Sequence, residues 1–237
     1  MKGMILAAGL GTRLKPFTES HPKALLPING KTLLQRNIEY LQSFNVKDVV
    51  VNVHHFASQI KDAIQQNNGW GSKITISDET DMVLETGGGL KKATFFLEDS
   101  NEAFVLMNAD ILTDLNIDEI HNLHLQSNVL ATLAVTNRST SRYLLFDDNN
   151  NLCGWKNEIT GEQKGKPGNK KAFSGIHIIS PKIFQHIKEE CKFSMIDLYL
   201  RLAAEGFKIN CYDHSDGKLL DVGKPESVSV AEKIFIK

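Results

Sequence analysis

The chain has 237 residues, with 27 Lys and Arg against 28 Asp and Glu, a formal net charge of −1 and a hydrophobic fraction of 41%. That length and balance suit one globular α/β domain with a substantial core, and they argue against a nucleic-acid partner. No run approaches the roughly 20 apolar residues that a membrane span needs. The cysteines Cys153, Cys191 and Cys211 are scattered and odd in number, which argues against a disulfide framework or a zinc site. With no secretory leader at the N-terminus, a soluble cytoplasmic protein is predicted, either a monomer or a small homo-oligomer.

Strand and helix periods alternate along the first half. Residues 2–7 read as a strand buried on both faces. Thr32 is placed to cap a helix over 33–44, in which Leu33, Leu34, Ile38 and Leu41 share one face. Residues 49–53, 74–77, 104–107 and 129–135 read as further strands, and 56–66, 90–97 and 117–126 as helices. Beyond residue 135 the pattern becomes richer in strands. Segments 143–146 and 152–155 flank a polar tip and read as an antiparallel hairpin. A strand over 172–179 ends at Ser180-Pro181, a cap and first-turn proline that predict another helix. A helix over 195–204, strands over 209–212 and 219–222 that close the sheet, and a helix over 225–236 complete the chain. Lys164, Lys166, Lys170 and Lys171, interspersed with Gly165, Pro167 and Gly168, read as a solvated loop. The fold class predicted is α/β: a three-layer, mostly parallel, Rossmann-like sheet with helices on both faces and a small antiparallel extension.

The chemistry concentrates at the first strand's end. Leu6-Ala7-Ala8-Gly9-Leu10-Gly11-Thr12-Arg13 runs from strand into a glycine-rich turn, and Lys23 follows between Pro22 and Pro27. Glycines let backbone N–H groups close on phosphate oxygens, and the two cations can neutralise them. The dinucleotide-binding spacing fails because Leu14 stands where its third glycine belongs. A P-loop ending at Gly30-Lys31-Thr32 fails because Leu25 stands where its first glycine belongs.

Gly-x-Gly-Thr-Arg followed by Pro-Lys-x-Leu-Leu-Pro resembles the sugar-1-phosphate nucleotidyltransferases, and the resemblance extends over nearly the whole chain. It implies a glycosyltransferase-A-like fold in a single domain over 1–237. A nucleotide-binding half would span about 1–135 and a sugar-phosphate half about 136–237. It further implies nucleotide contacts from Leu6, Ala8, Gly9, Gly11, Thr12, Arg13 and Lys23, with the base lying against Glu85, Gly87 and Gly88. Asp110 and Asp221, each ending a strand, would hold Mg²⁺. Asn108, Glu158 and Gly175 would hold the sugar or its phosphate. Arg13 would stabilise departing pyrophosphate and Lys23 would bridge the reacting phosphates, with nucleoside triphosphate and sugar 1-phosphate as substrates.

Glu85-Thr86-Gly87-Gly88-Gly89 is most similar to the family's N-acetylmuramate 1-phosphate uridylyltransferases. Its mannose- and heptose-1-phosphate guanylyltransferases are an alternative. A non-catalytic nucleotide-sugar-binding protein is the rival of another class, and retention of Lys23, Asp110 and Asp221 argues against it. An NAD-dependent oxidoreductase falls with the dinucleotide spacing. No stretch provides for an appended β-helix acetyltransferase domain, so a single activity is expected.

Overall fold

The computed structural model describes residues 1–100 and 102–236. Strand β1 (Gly3–Leu6) lies centrally in the sheet, which explains why it carries no exposed polar face. A two-residue ladder, β2 (Pro27–Ile28) and β3 (Lys31–Thr32), leads into α1 (Leu33–Ser43). The predicted cap is made, since the Gln35 N–H donates to Thr32 Oγ1 at 3.1 Å. Then come β4 (Asp48–Val53), α2 (Ala57–Gln66), β5 (Lys73–Asp78), α3 (Glu85–Lys92) and α4 (Thr94–Leu97). They are followed by β6 (Phe104–Asn108), β7 (Ile111–Thr113), α5 (Ile117–Gln126) and β8 (Ala131–Thr136). Strands β5, β4, β1 and β6 are neighbours and run parallel.

Alternation along these strands builds two cores. Ile5, Val49, Val51 and Met107 face α1, α2 and α5, whereas Met4, Val50 and Leu106 face α3, α4 and the later helix α6 (Met195–Ala204). These are the three layers predicted. The back half adds β9 (Arg142–Phe146), β10 (Leu152–Asn157), β11 (Gln163–Gly165), β12 (Asn169–Ile179) and β13 (Ile209–Asp213). β12 runs antiparallel to β6, β8 and β9 and so welds this extension onto the parallel strands. The chain ends with β14 (Leu219–Asp221) and α7 (Pro225–Ile234).

Four expectations are corrected. The strand at 219–222 does not close the main sheet; β14 pairs with β7 as a separate two-stranded ribbon. After Ser180-Pro181 only the 3₁₀ helix Pro181–His186 forms, although the Lys182 N–H does reach Ser180 Oγ. The helix expected at 90–97 begins at Glu85 and divides at Ala93. Three consecutive glycines oppose a helix on propensity, but a Cβ at Gly87 or Gly88 would strike Phe193 or Cys191, so packing overrides propensity. The lysine-rich loop is instead β11 and the start of β12, with Lys164 paired to Asp197, Lys170 to Glu158 and Lys171 to Asp213. Charged residues suit a sheet edge such as β11, which period-based reading does not detect.

Two buried histidines make stability depend on pH. His177 accepts or donates a bond to the Tyr199 hydroxyl at 2.8 Å, and His124 to Thr132 Oγ1 at 3.0 Å. Burial pushes His177 down to about 3 and His124 to about 4, so both are neutral in the folded protein at pH 5. The unfolded chain takes up those protons below about pH 6.5, so stability is full above that value and falls on acidification toward pH 4. Urea midpoints should show a loss of roughly 2 kcal/mol per histidine between pH 7 and 5. An unchanged midpoint across that interval contradicts it.

Candidate active site

The carboxyl ends of β1, β4, β5 and β6 open on one edge, the place where parallel sheets hold ligands. The Ala7 N–H donates to Asn52 Oδ1 at 2.7 Å, and Asn52 Nδ2 donates to Glu79 Oε1 at 2.8 Å. Asn52 and Glu79 are both buried, and burial pushes the Glu79 carboxyl above its ordinary range. This network ties the end of β1 to the ends of β4 and β5. Neither residue is among those predicted from the sequence; the signal for Asn52 is a polar residue inside the valine run Val49–Val53 of β4.

The glycine turn has two different glycines. Gly11 is left-handed at φ +64°, and a Cβ there would lie 2.9 Å from Thr18 Cγ2 and 3.0 Å from Lys23 Cβ. Its carbonyl accepts from the Leu14 N–H at 2.9 Å and from Thr18 Oγ1 at 3.0 Å, which fixes the 3₁₀ turn Thr12–Leu14 that carries Arg13. Gly9, by contrast, is not left-handed, and a Cβ there meets nothing within 4 Å. Its missing side chain leaves space that the protein itself does not use. Gly11→Ala is therefore expected to lower the melting temperature and turnover together. Gly9→Ala should leave the melting curve in place and raise the nucleotide KM about tenfold. Equal melting losses in both variants contradict this distinction.

Lys23 begins the 3₁₀ turn Lys23–Leu25, and its Nζ forms an ion pair with Asp110 Oδ2. The Asp110 carbonyl accepts from the Val222 N–H at 2.8 Å, which draws Asp221 alongside even though 110 residues separate the two. A small apolar cluster of Leu14, Leu26, Leu112 and Val222 backs the arrangement, joining the glycine turn, the lysine turn and the β7–β14 ribbon. Asp221 Oδ1 is buried and has no hydrogen-bond partner among the described residues. Burial, then the charge of Asp110, raises the Asp221 carboxyl above its ordinary range, and Lys23 and Arg13 oppose that. Gly223 makes room: a Cβ there would lie 2.6 Å from Asp221 Oδ1 and 2.8 Å from Arg13 Nη2. Among the described residues the Arg13 guanidinium has no ion-pair or hydrogen-bond partner. Two cations and two carboxylates, one oxygen of them unused, thus converge on one spot.

A cavity of about 440 Å³ spreads from this spot, lined by Leu6, Ala8, Gly9, Lys23, Glu85, Asn108 and Asp110 among the predicted residues. Asn52, Thr86 and Ser194 also line it and were not predicted. Thr12 and Arg13 stand exposed on the turn beside it. Gly87 and Gly88 do not line it; both N–H groups donate to the Phe193 carbonyl, at 2.9 and 3.3 Å, so these glycines are spent on packing. Gly175 is left-handed at φ +76° where the β12–β8 register shifts, and a Cβ there would lie 2.9 Å from Asn108 Nδ2. It supports Asn108 from behind. Glu158 does not line this cavity: its carboxylate is bound to Lys170 at 2.7 Å and Lys156 at 3.3 Å. Those two ammonium groups occupy it and hold it below its usual range.

Comparison with known proteins identifies the family. The family model described as nucleotidyl transferase matches residues 2–235. An N-acetylmuramate alpha-1-phosphate uridylyltransferase of Caulobacter vibrioides is 32% identical, over 97% of this chain and 94% of that protein. A mannose-1-phosphate guanyltransferase of Candida glabrata is 26% identical over 100% of this chain and 65% of its own length. Among solved structures, HddC from Yersinia pseudotuberculosis, complexed with GMP-PN, superposes with a TM-score of 0.78 at 26% identity and covers 99% of each chain. With a family model matched from residue 2 to residue 235, the chain belongs to the nucleotidyl transferase family and is an enzyme of that class.

Proposed function

We propose that this enzyme transfers a uridylyl group from UTP to a sugar 1-phosphate, with N-acetylmuramate 1-phosphate as the acceptor. The observation that carries the reaction is the convergence of Arg13 and Asp221 on Lys23 and Asp110, two residues of the cavity wall. The acceptor rests on the Caulobacter relative, which is matched over nearly its whole length. A phosphate oxygen of the sugar 1-phosphate, ionised at neutral pH, attacks the α-phosphorus of UTP. The bond from that phosphorus to the β-bridging oxygen breaks, and pyrophosphate leaves. No general base is needed, so catalysis is a matter of alignment and charge.

In this reading the glycine turn cradles the triphosphate, and Arg13, free of any partner among the described residues, neutralises the departing pyrophosphate. Lys23, held at the cavity wall by Asp110, lies between the α-phosphate and the incoming phosphate. The base lies toward Asn52, Glu85 and Thr86, and Asn108 faces the sugar side. A hard divalent cation such as Mg²⁺ fits the unused Asp221 oxygen and Asp110. Two carboxylates alone, with no third His, Cys, Asp or Glu nearby among the described residues, leave room for phosphate oxygens and water. Bound there, it supplies positive charge to the α-phosphate. The free cysteines and the lack of any helix long and apolar enough to cross a membrane, among the described residues, suit work in a reducing cytoplasm.

The Candida relative and the Yersinia structure favour a second reading, guanylyl transfer from GTP. A pyrophosphate-release assay crossing UTP, GTP, CTP and dTTP with sugar 1-phosphates separates the two. UTP with N-acetylmuramate 1-phosphate should give the highest kcat/KM. Preference for GTP shifts the assignment to the second reading, and no release with any pair leaves a nucleotide-sugar-binding protein.

A further inference from the structure

A second cavity, of about 410 Å³, adjoins the first, and Ser194 lines both. Its wall is built by β9, β10, β11 and α6 and carries three cations, Arg138, Arg142 and Lys164, against one carboxylate, Asp197. Two of the cations are already engaged. Lys164 pairs with Asp197 at 2.9 Å and lies 5.6 Å over the Trp155 ring, and Arg138 Nη2 donates to the Phe173 carbonyl at 3.0 Å. Arg142 is different: among the described residues its guanidinium has neither an ion-pair nor a hydrogen-bond partner. Beside it stand the rings of Tyr143 and Trp155, surfaces of the kind on which a sugar ring packs.

A solvent-exposed guanidinium with no protein partner, on the wall of a cavity, offers a planar fork of donors, the geometry that suits a carboxylate. The phosphates have their own cations, Lys23 in the first cavity and Arg13 on the turn beside it. A second, separate positive site therefore calls for an anion elsewhere on the acceptor. We propose that the second cavity seats a carboxylate carried by the sugar, and that Arg142 is the residue that pairs with it. This rests on the reading that the acceptor is a sugar 1-phosphate. It adds the place where the acid of such a sugar sits and the residue that selects it. N-acetylmuramate, with its lactyl ether, is such a sugar, and N-acetylglucosamine is the same ring without the acid.

The test compares N-acetylmuramate 1-phosphate with N-acetylglucosamine 1-phosphate in the wild type, Arg142→Gln and Arg142→Lys. Loss of a charge-assisted pair predicts that the ratio of kcat/KM between the two sugars falls about 30- to 100-fold in Arg142→Gln. Arg142→Lys should recover part of it. Equal losses on both sugars would assign Arg142 to the shared ring or 1-phosphate and overturn the proposal, as would no loss on either. Calorimetric titration of each sugar 1-phosphate onto the protein without nucleotide reads the same selectivity when turnover is absent. If no nucleotide supports turnover, the transfer reading fails. The subsite is still decided, because tighter binding of the acidic sugar that Arg142→Gln abolishes supports it. Equal affinity of the wild type for both sugars, or none for either, overturns it.

Discussion

Lys23→Ala is expected to lower kcat about a thousandfold while the protein stays folded. An ammonium about 4 Å from a phosphoryl oxygen at an effective dielectric near 20 contributes about 4 kcal/mol, and each 1.4 kcal/mol is a tenfold change in rate. That agrees with the roughly 10²–10³-fold loss usual on removing one donor from a developing anion. The lysine is packed on the cavity wall rather than in a core: its Cβ supports Gly11 and only its Nζ reaches Asp110, so alanine keeps the supporting atom. Circular dichroism and the melting curve should change little, and the nucleotide KM should rise less than kcat falls. Near-normal turnover in Lys23→Ala removes the residue from the reaction.

Asp221→Asn should move stability and activity in opposite directions. The Asp221 carboxyl is raised because burial and the charge of Asp110 both oppose its ionised form. A raised carboxyl binds its proton more tightly when folded, so the ionised state at neutral pH weighs against folding. Asparagine keeps the shape and removes the charge. The variant should melt no lower than the wild type, and its advantage should grow as pH rises through the Asp221 ionisation and vanish in acid. Turnover should fall at least a hundredfold, and the Mg²⁺ concentration needed for half-maximal rate should rise. A variant that is both less stable and fully active contradicts the assignment of Asp221 as a charged ligand.

The parts legible in the sequence were those whose signals are local. The buried first strand, the Thr32 cap and the glycine turn with Arg13 and Lys23 depend on neighbours within a few residues, and the structure carries each of them. Asp110 and Asp221 were legible only through the family resemblance, and what joins them is the β7–β14 ribbon, a non-local pairing that no periodicity announces. The glycines of α3 misled in another way. Their small size reads as room for a ligand, but Phe193 and Cys191, about a hundred residues later, fill that room. Asn52 and Glu79 share a face only because β4 and β5 are parallel neighbours, with Asn52 opposite Ser77. Arg142 is exposed in the fold as well, and only its place on the cavity that β9, β10 and α6 line together sets it apart, which no local pattern announces.

Attack on the α-phosphorus of a nucleoside triphosphate decides where each phosphate label ends. The wild-type enzyme is incubated with N-acetylmuramate 1-phosphate and UTP labelled either at the α- or at the γ-phosphate, and the products are separated. All α-label should appear in the nucleotide-sugar and all γ-label in pyrophosphate, in equal amounts. γ-Label in the sugar product, or release of free phosphate in place of pyrophosphate, would contradict it.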